Sequence, residues 1–268
     1  MESLTLFGRP PVPETIAITG ASRGIGRALA IEYADAGRTL FLSARKRERL
    51  QDTAEDCRAF GAAVETAVVD VTDADAVRSW LLDAEAVKPI DLLIANAGVS
   101  SGTGPNREPE TEAGLQKLFD VNFQGVVNTI QPIMPLMAER KRGQIALITS
   151  AAGYRGVPQS PGYAASKAAA RVYGEGLRAY LAEDGVFITV VSPGYVETDM
   201  SGRLAGPRPF LISAEKAARI IRRGLAAGRG DIVFPFASRL LPLAVSLLPA
   251  RFGHRLLRRY PYGIAEDK

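Results

Sequence analysis

Seven short apolar or β-branched runs recur along the 268-residue chain and restrict its fold more than any other feature. They are TIAIT (Thr15–Thr19), TLFLS (Thr39–Ser43), VETAVV (Val64–Val69), DLLIA (Asp91–Ala95), QIALIT (Gln144–Thr149), VFITVV (Val186–Val191) and DIVF (Asp231–Phe234). Most are continuous rather than alternating, the pattern of strands covered on both faces in a parallel sheet. Helix-like stretches lie between them. Gly37 and Gly185 stand where C′ glycines end helices, Thr72 can cap the third helix, and Pro89 stops it before the fourth strand. This rhythm predicts right-handed crossovers and an α/β fold with a doubly wound parallel sheet. Without repeats, low-complexity runs or long linkers, residues 1–268 read as one domain, with 235–268 a helical, basic extension.

Composition narrows the chemistry. Hydrophobic residues at 47% and charged residues at 23% suit a large buried core. A single cysteine, Cys57, excludes an intramolecular disulfide, and with a single histidine, His254, it leaves no zinc cluster. His254 reads as a surface residue, so catalysis here must proceed without histidine. The N-terminus has no basic segment followed by an apolar run, which favours a cytoplasmic protein. The net charge of +4 is local: residues 232–265 hold five Arg and no acid, leaving 28 basic against 29 acidic residues elsewhere. A nucleic-acid surface needs basic residues spread over the fold, so no such partner is expected.

TGASRGIG follows the first strand and opens a helix. Gly20 permits a tight turn, Gly24 lets backbone approach a pyrophosphate, and Gly26 allows close helix packing, while the helix start offers free N–H groups to the anion. Add NAG (Asn96–Gly98), Asn122 in VNFQG, Ser150, YAASK (Tyr163–Lys167) and SPG (Ser192–Gly194), in that order, and the chain resembles the short-chain dehydrogenase/reductase family over roughly Thr15 to Phe234. Departures are small: Ala95 stands where another Asn is frequent, and SAAG where a double Ser is common. The resemblance implies a Rossmann-type sheet of about seven strands in the order 3-2-1-4-5-6-7. It also implies a cofactor site including Gly20, Ser22, Arg23, Gly24, Ile25 and Gly26, with Asp70 and Val71 beside the adenine and Asn96, Ala97 and Gly98 behind the ribose. Pro193, Gly194, Val196 and Thr198 would flank the nicotinamide. An acid ending the second strand would bind a ribose 2′-hydroxyl. The chain instead reads LSARKRERL, with Arg45 and Lys46 close behind the strand and Arg23 in the glycine turn, which favours NADP(H) over NAD(H).

In YAASK, Tyr163 and Lys167 are four residues apart and share one helix face. A phenol near its ordinary pKa of ~10 is a poor acid–base group at neutral pH. A neighbouring ammonium stabilises the phenolate, and its other donors can reach the nicotinamide ribose. Ser150, ending the fifth strand, can hydrogen-bond a carbonyl oxygen as charge develops on it. Asn122, a poor helix former, is implied by the resemblance to open its helix and hold a water that relays protons through Lys167. The expected activity is NADP(H)-dependent interconversion of a ketone or aldehyde and an alcohol, with Asn122, Ser150, Tyr163 and Lys167 as the catalytic set.

The substrate pocket is expected from the segments after the fourth strand, after Ser150 and after Gly194, with Tyr154 and Tyr195 as wall candidates and residues 200–213 as a small lid. In the tail, Pro249 suits a helix start, and Arg251, Arg255, Arg258 and Arg259 fall beside Phe252, Leu256 and Tyr260. Two readings stay open for it: peripheral membrane contact through 249–260, or packing over the pocket or on a second subunit. The resemblance implies a homodimer or homotetramer through the helices bearing Asn122 and Tyr163. Two other functions stay open, an NADP(H)-binding redox sensor and a membrane-surface reductase of lipid-like or steroid-like substrates.

Overall fold

The computed structural model describes residues 10–104, 108–205, 207–235 and 263–264, the last pair and 204–205 by their backbone alone. All seven sequence-predicted strands form, within a residue or two of their expected bounds. They are β1 (Thr15–Thr19), β2 (Thr39–Ala44), β3 (Ala63–Val68), β4 (Leu92–Ala95), β5 (Gly143–Ile148), β6 (Val186–Pro193) and β7 (Asp231–Phe234). Every pairing among them is parallel, and the order across the sheet is 3-2-1-4-5-6-7. The continuity of the apolar runs now has a visible cause. Ile16 and Ile18 of β1 face one core while Ala17 between them faces the other, and Leu40, Phe41 and Leu42 repeat the division on β2. None of these six side chains is exposed by more than 1%. Strand β3, at the sheet edge, is half exposed and carries the more polar AVETAV.

One face is covered by α1 (Gly24–Tyr33), α2 (Arg47–Ala59) and the late helix α8 (Ala214–Ala226); the other by α3 (Ala74–Val87), α4 (Glu112–Phe119), α5 (Gly125–Ile130), α6 (Met134–Glu139) and α7 (Pro161–Tyr180). Between α4 and α5 a π-helical turn, Asp120–Gln124, joins them into one long helical segment with Asn122 at its centre. Beyond β6, Val196–Glu197 pairs with Ile212–Ser213, and Leu204–Ala205 pairs antiparallel with Gly263–Ile264. Among the described residues no helix is long and apolar enough to cross a membrane. The basic helix expected over 249–260 lies outside the described residues, as does His254.

Three capping assignments need correction. Asp73, not Thr72, caps α3, accepting from Ala76 N at 3.0 Å. Thr72 is otherwise engaged, its hydroxyl donating to Asp70 Oδ1 at 2.9 Å. Gly37 turns the chain with φ 88 but follows the α1 cap, Ala34, by three residues, and Gly185, φ 67, ends a short 3₁₀ turn after α7 rather than α7 itself. Pro89 falls directly after the α3 cap, Lys88, as expected.

Candidate active site

A cavity of about 670 Å³ opens at the C-terminal ends of β1 through β6, across the gap where β1 and β4 lie side by side and their connections depart in opposite directions. In an open α/β sheet that reversal point is where ligands bind. Its first wall is the glycine turn. Gly20 and Gly24 both hold positive φ, 67 and 55. A Cβ on Gly26 would lie 2.3 Å from Gly20 O and 2.4 Å from Asn96 Nδ2, so the close contact at Gly26 is with the turn itself and with Asn96 rather than with the sheet. Asn96 locks that turn by donating to Thr19 O at 2.9 Å and Gly20 O at 3.2 Å, while the Thr19 hydroxyl accepts from Asn96 N and Ala97 N.

The opposite wall carries the polar groups suited to catalysis. Tyr163 lies in the first turn of α7, Lys167 one turn on, and Ser150 just beyond β5. Ser150 accepts from Ala152 N at 3.1 Å, shaping a 3₁₀ turn over Ala151–Tyr154, and its hydroxyl also meets Tyr163. Burial raises the Tyr163 phenol above its ordinary value and the Ser150 hydrogen bond offsets part of that rise. The tempering contact in the chain alone is therefore Ser150, where the sequence pointed to Lys167. Burial pulls Lys167 down to about 8, and its ammonium donates to Ile148 O at 3.1 Å.

Asn122 lies one layer behind the wall and is fully buried. It holds the segment after β4, accepting from Val99 N and donating to Val99 O, both at 2.9 Å, and donates to Ser166 Oγ at 3.0 Å. Ser166 in turn donates to Tyr163 O at 2.9 Å. The π turn sets Asn122 where it links the Val99 backbone to the helix that carries Tyr163.

The cofactor-site residues singled out in the sequence all line the cavity: the glycine turn, Arg45, Asp70, Val71, Asn96–Gly98, Pro193, Gly194, Val196 and Thr198. Tyr195 is on the wall as expected, but Tyr154 is not; its half-buried ring packs under the Arg171 guanidinium, 4.7 Å from the ring centre. Sequence reasoning missed Arg49 and Asp199, which also line the cavity. Arg45 stands in the bend before α2 and Arg49 in the first turn of α2, a placement hidden inside the RKRER charge run.

These residues suit a dinucleotide. The first turn of α1 has no side-chain cap and no acid, so its N–H groups remain for a bound anion. Arg23, Arg45, Lys46 and Arg49 stand around the same end, over bare glycine backbone. Arg45 is 3.7 Å from Asp70. Partial burial acts to raise the Asp70 carboxyl, but two hydrogen bonds from Thr72 and the Arg45 charge outweigh it and hold it below the usual range.

A doubly wound parallel sheet with a glycine-opened, uncapped helix start at its reversal point defines a Rossmann-type nucleotide-binding protein. The sequence matches the family described as short chain dehydrogenase over residues 14–207. It is 35% identical over 237 residues to an uncharacterized oxidoreductase of Myxococcus xanthus, covering 88% of this chain and 92% of the relative. Among solved structures it is similar to a short-chain dehydrogenase from Sphingobium yanoikuyae in complex with NADPH, with TM-score 0.75, 27% identity, and 90% of this chain and 95% of that one covered. A short-chain dehydrogenase from Mycobacterium paratuberculosis bound to NAD superposes with TM-score 0.72 at 26% identity, over 82% of this chain and 95% of that one. The chain belongs to the short-chain dehydrogenase family and is an oxidoreductase of the nicotinamide-dependent kind.

Proposed function

We propose that this chain is an NADP(H)-dependent carbonyl reductase or alcohol dehydrogenase acting on a small-molecule ketone, aldehyde or alcohol. The observation that carries the reading is the convergence of Ser150, Tyr163 and Lys167 on one wall of a cavity whose far end is ringed by arginines. The glycine turn and the start of α1 hold the pyrophosphate, and Arg45 with Arg23 takes the adenosine 2′-phosphate. Asn96, Ala97 and Gly98 back the ribose, while Pro193, Gly194, Val196 and Thr198 flank the nicotinamide. The cofactor supplies or accepts the hydride.

The substrate oxygen sits between the Ser150 and Tyr163 hydroxyls. Ser150 donates to it as negative charge develops. Tyr163 delivers the proton in reduction and removes it in oxidation. The Lys167 ammonium, close to its own titration at neutral pH, steadies the phenolate and orients the ribose. Asn122 holds Val99 and the α7 backbone in register and is proposed to seat the water that refills the proton on Lys167. A second copy of the chain is proposed to dock on the α4, α5 and α7 face, where Phe119 and Val172 are exposed.

The test is fluorescence titration with NADPH and NADH in the wild type and in Arg45→Ala. NADPH should bind at least tenfold tighter, about 1.4 kcal/mol, and the variant should lose that preference. Turnover of a ketone panel by the wild type, lost in Tyr163→Phe, then establishes the reaction class. Equal affinity for both cofactors would remove the NADP(H) assignment, and binding of neither would remove the reading of the site.

A further inference from the structure

Three arginines face the adenosine end of the cavity, and each is paired with a carboxylate. Arg45 meets Asp70 at 3.7 Å. Arg23 and Arg49 converge on a single oxygen, Asp199 Oδ2, at 3.4 and 3.1 Å. The two guanidiniums come from different elements, the glycine turn and α2, while Asp199 comes from the segment after β6. It opens the short helix Asp199–Gly202, whose start is fixed by a reciprocal hydrogen-bonded pair between Thr198 and Ser201. Thr198 belongs to the proposed nicotinamide contact, so the carboxylate is carried on the same turn that closes over the other end of the cofactor.

One oxygen held by two forked cations has the coordination of a phosphate oxygen. The side chains of Arg23, Arg49 and Asp199 are 44%, 50% and 57% exposed, so each ion pair is worth little in water and exchanges readily. With Lys46, four cations face two carboxylates at this end of the cavity. A phosphate monoester carrying nearly two charges is the stronger competitor for the arginines.

We propose that Arg49 is a specificity-determining residue for the 2′-phosphate and that Asp199 is its exchangeable counter-ion, displaced when a 2′-phosphorylated cofactor enters. The preference then depends on two charges: Arg49 rewards the phosphate, and Asp199 opposes it until released. This rests on the NADP(H) reading above and adds to it a second arginine and a competing acid.

Calorimetric titration of the full chain with adenosine 2′,5′-bisphosphate and with AMP separates the phosphate end from the nicotinamide chemistry. Arg49→Ala should weaken the bisphosphate about tenfold and leave AMP within twofold. Asp199→Asn should tighten the bisphosphate about threefold, and most of that gain should vanish in the double variant. Thermal melts verify folding, which half-exposed positions tolerate. If Arg49→Ala weakens both ligands alike, or neither, the specificity role fails. If Asp199→Asn leaves bisphosphate affinity unchanged, the exchange fails. A wild type that binds AMP as tightly as the bisphosphate would instead bring down the NADP(H) reading itself, and this inference with it.

Discussion

Burial takes the Lys167 ammonium from 10.5 to about 8, because the charged form loses its water, for which the Ile148 carbonyl at 3.1 Å does not compensate. The linkage has a definite sign. Between those two values the unfolded chain binds a proton that the folded chain does not, so stability rises with pH across that window. Below about 8 the folded state bears the full cost of the buried charge. Lys167→Met should therefore stabilise the protein at pH 7, by about 1–3 kcal/mol, while abolishing turnover. The gain should shrink as pH rises from 8 towards 10.5. Urea unfolding at several pH values would show it, and a variant less stable than wild type at pH 7 would contradict it. Tyr163 moves the other way: burial raises its phenol and the Ser150 hydroxyl offsets part of the rise. Ser150→Ala removes that offset, so the rising limb of alcohol oxidation, set by loss of the phenol proton, should shift to higher pH, with kcat reduced about 10²-fold. An unmoved limb would mean that Ser150 does not touch the phenol during catalysis. The Tyr163–Lys167 pair was legible in the sequence because i,i+4 spacing is a local property of a helix. The partner that tempers the phenol was not, since Ser150 reaches it only once β5 and α7 pack together.

At the scale of elements, the π turn through Asp120–Gln124 does what a regular helix would not, since it lets Asn122 bind both backbone groups of Val99 and the Ser166 hydroxyl. All of these groups are buried. Asn122→Ala leaves several of them without partners, and at about 1–3 kcal/mol for each buried orphan the expected loss is about 2–4 kcal/mol in urea unfolding. A loss below 1 kcal/mol would show that water replaces the side chain. The sequence revealed an asparagine poorly suited to its helix but not how the helix accommodates it. Caps followed a similar rule. Pro89 worked as read, whereas Thr72, the cap read from the sequence, gives its hydroxyl to the nearby Asp70, and Asp73 caps the helix instead. The start of α7 was beyond any local rule. Its N-cap Ser160 makes no side-chain cap bond, and Gly162 N donates instead to Glu110 Oε2 at 2.8 Å, 52 residues away.

Across the whole molecule, the sheet was readable because its central strands announce two buried faces in their own residues, and parallel order follows from the helices between them. The cavity was readable only in part. Its floor is made of strand ends whose motifs are local, but its charged rim joins Arg23, Arg49 and Asp199, which are distant in sequence and meet only in the fold. A cofactor bound as proposed would cross-link the two halves of the sheet, since the cavity is lined by the glycine turn and the end of β2 on one side and the ends of β5 and β6 on the other. A ligand that binds only the folded state stabilises it by about 2.7 kcal/mol at a hundred times its Kd. For a domain of this size NADPH at that concentration should raise Tm by roughly 5 °C or more. NADH at the same concentration, bound tenfold more weakly, should give about half the free energy. Arg45→Ala should bring the two shifts together by lowering the NADPH effect while leaving the NADH effect in place. Were the variant to lose both shifts equally, Arg45 would be supporting the fold of the adenosine end rather than reading the 2′-phosphate.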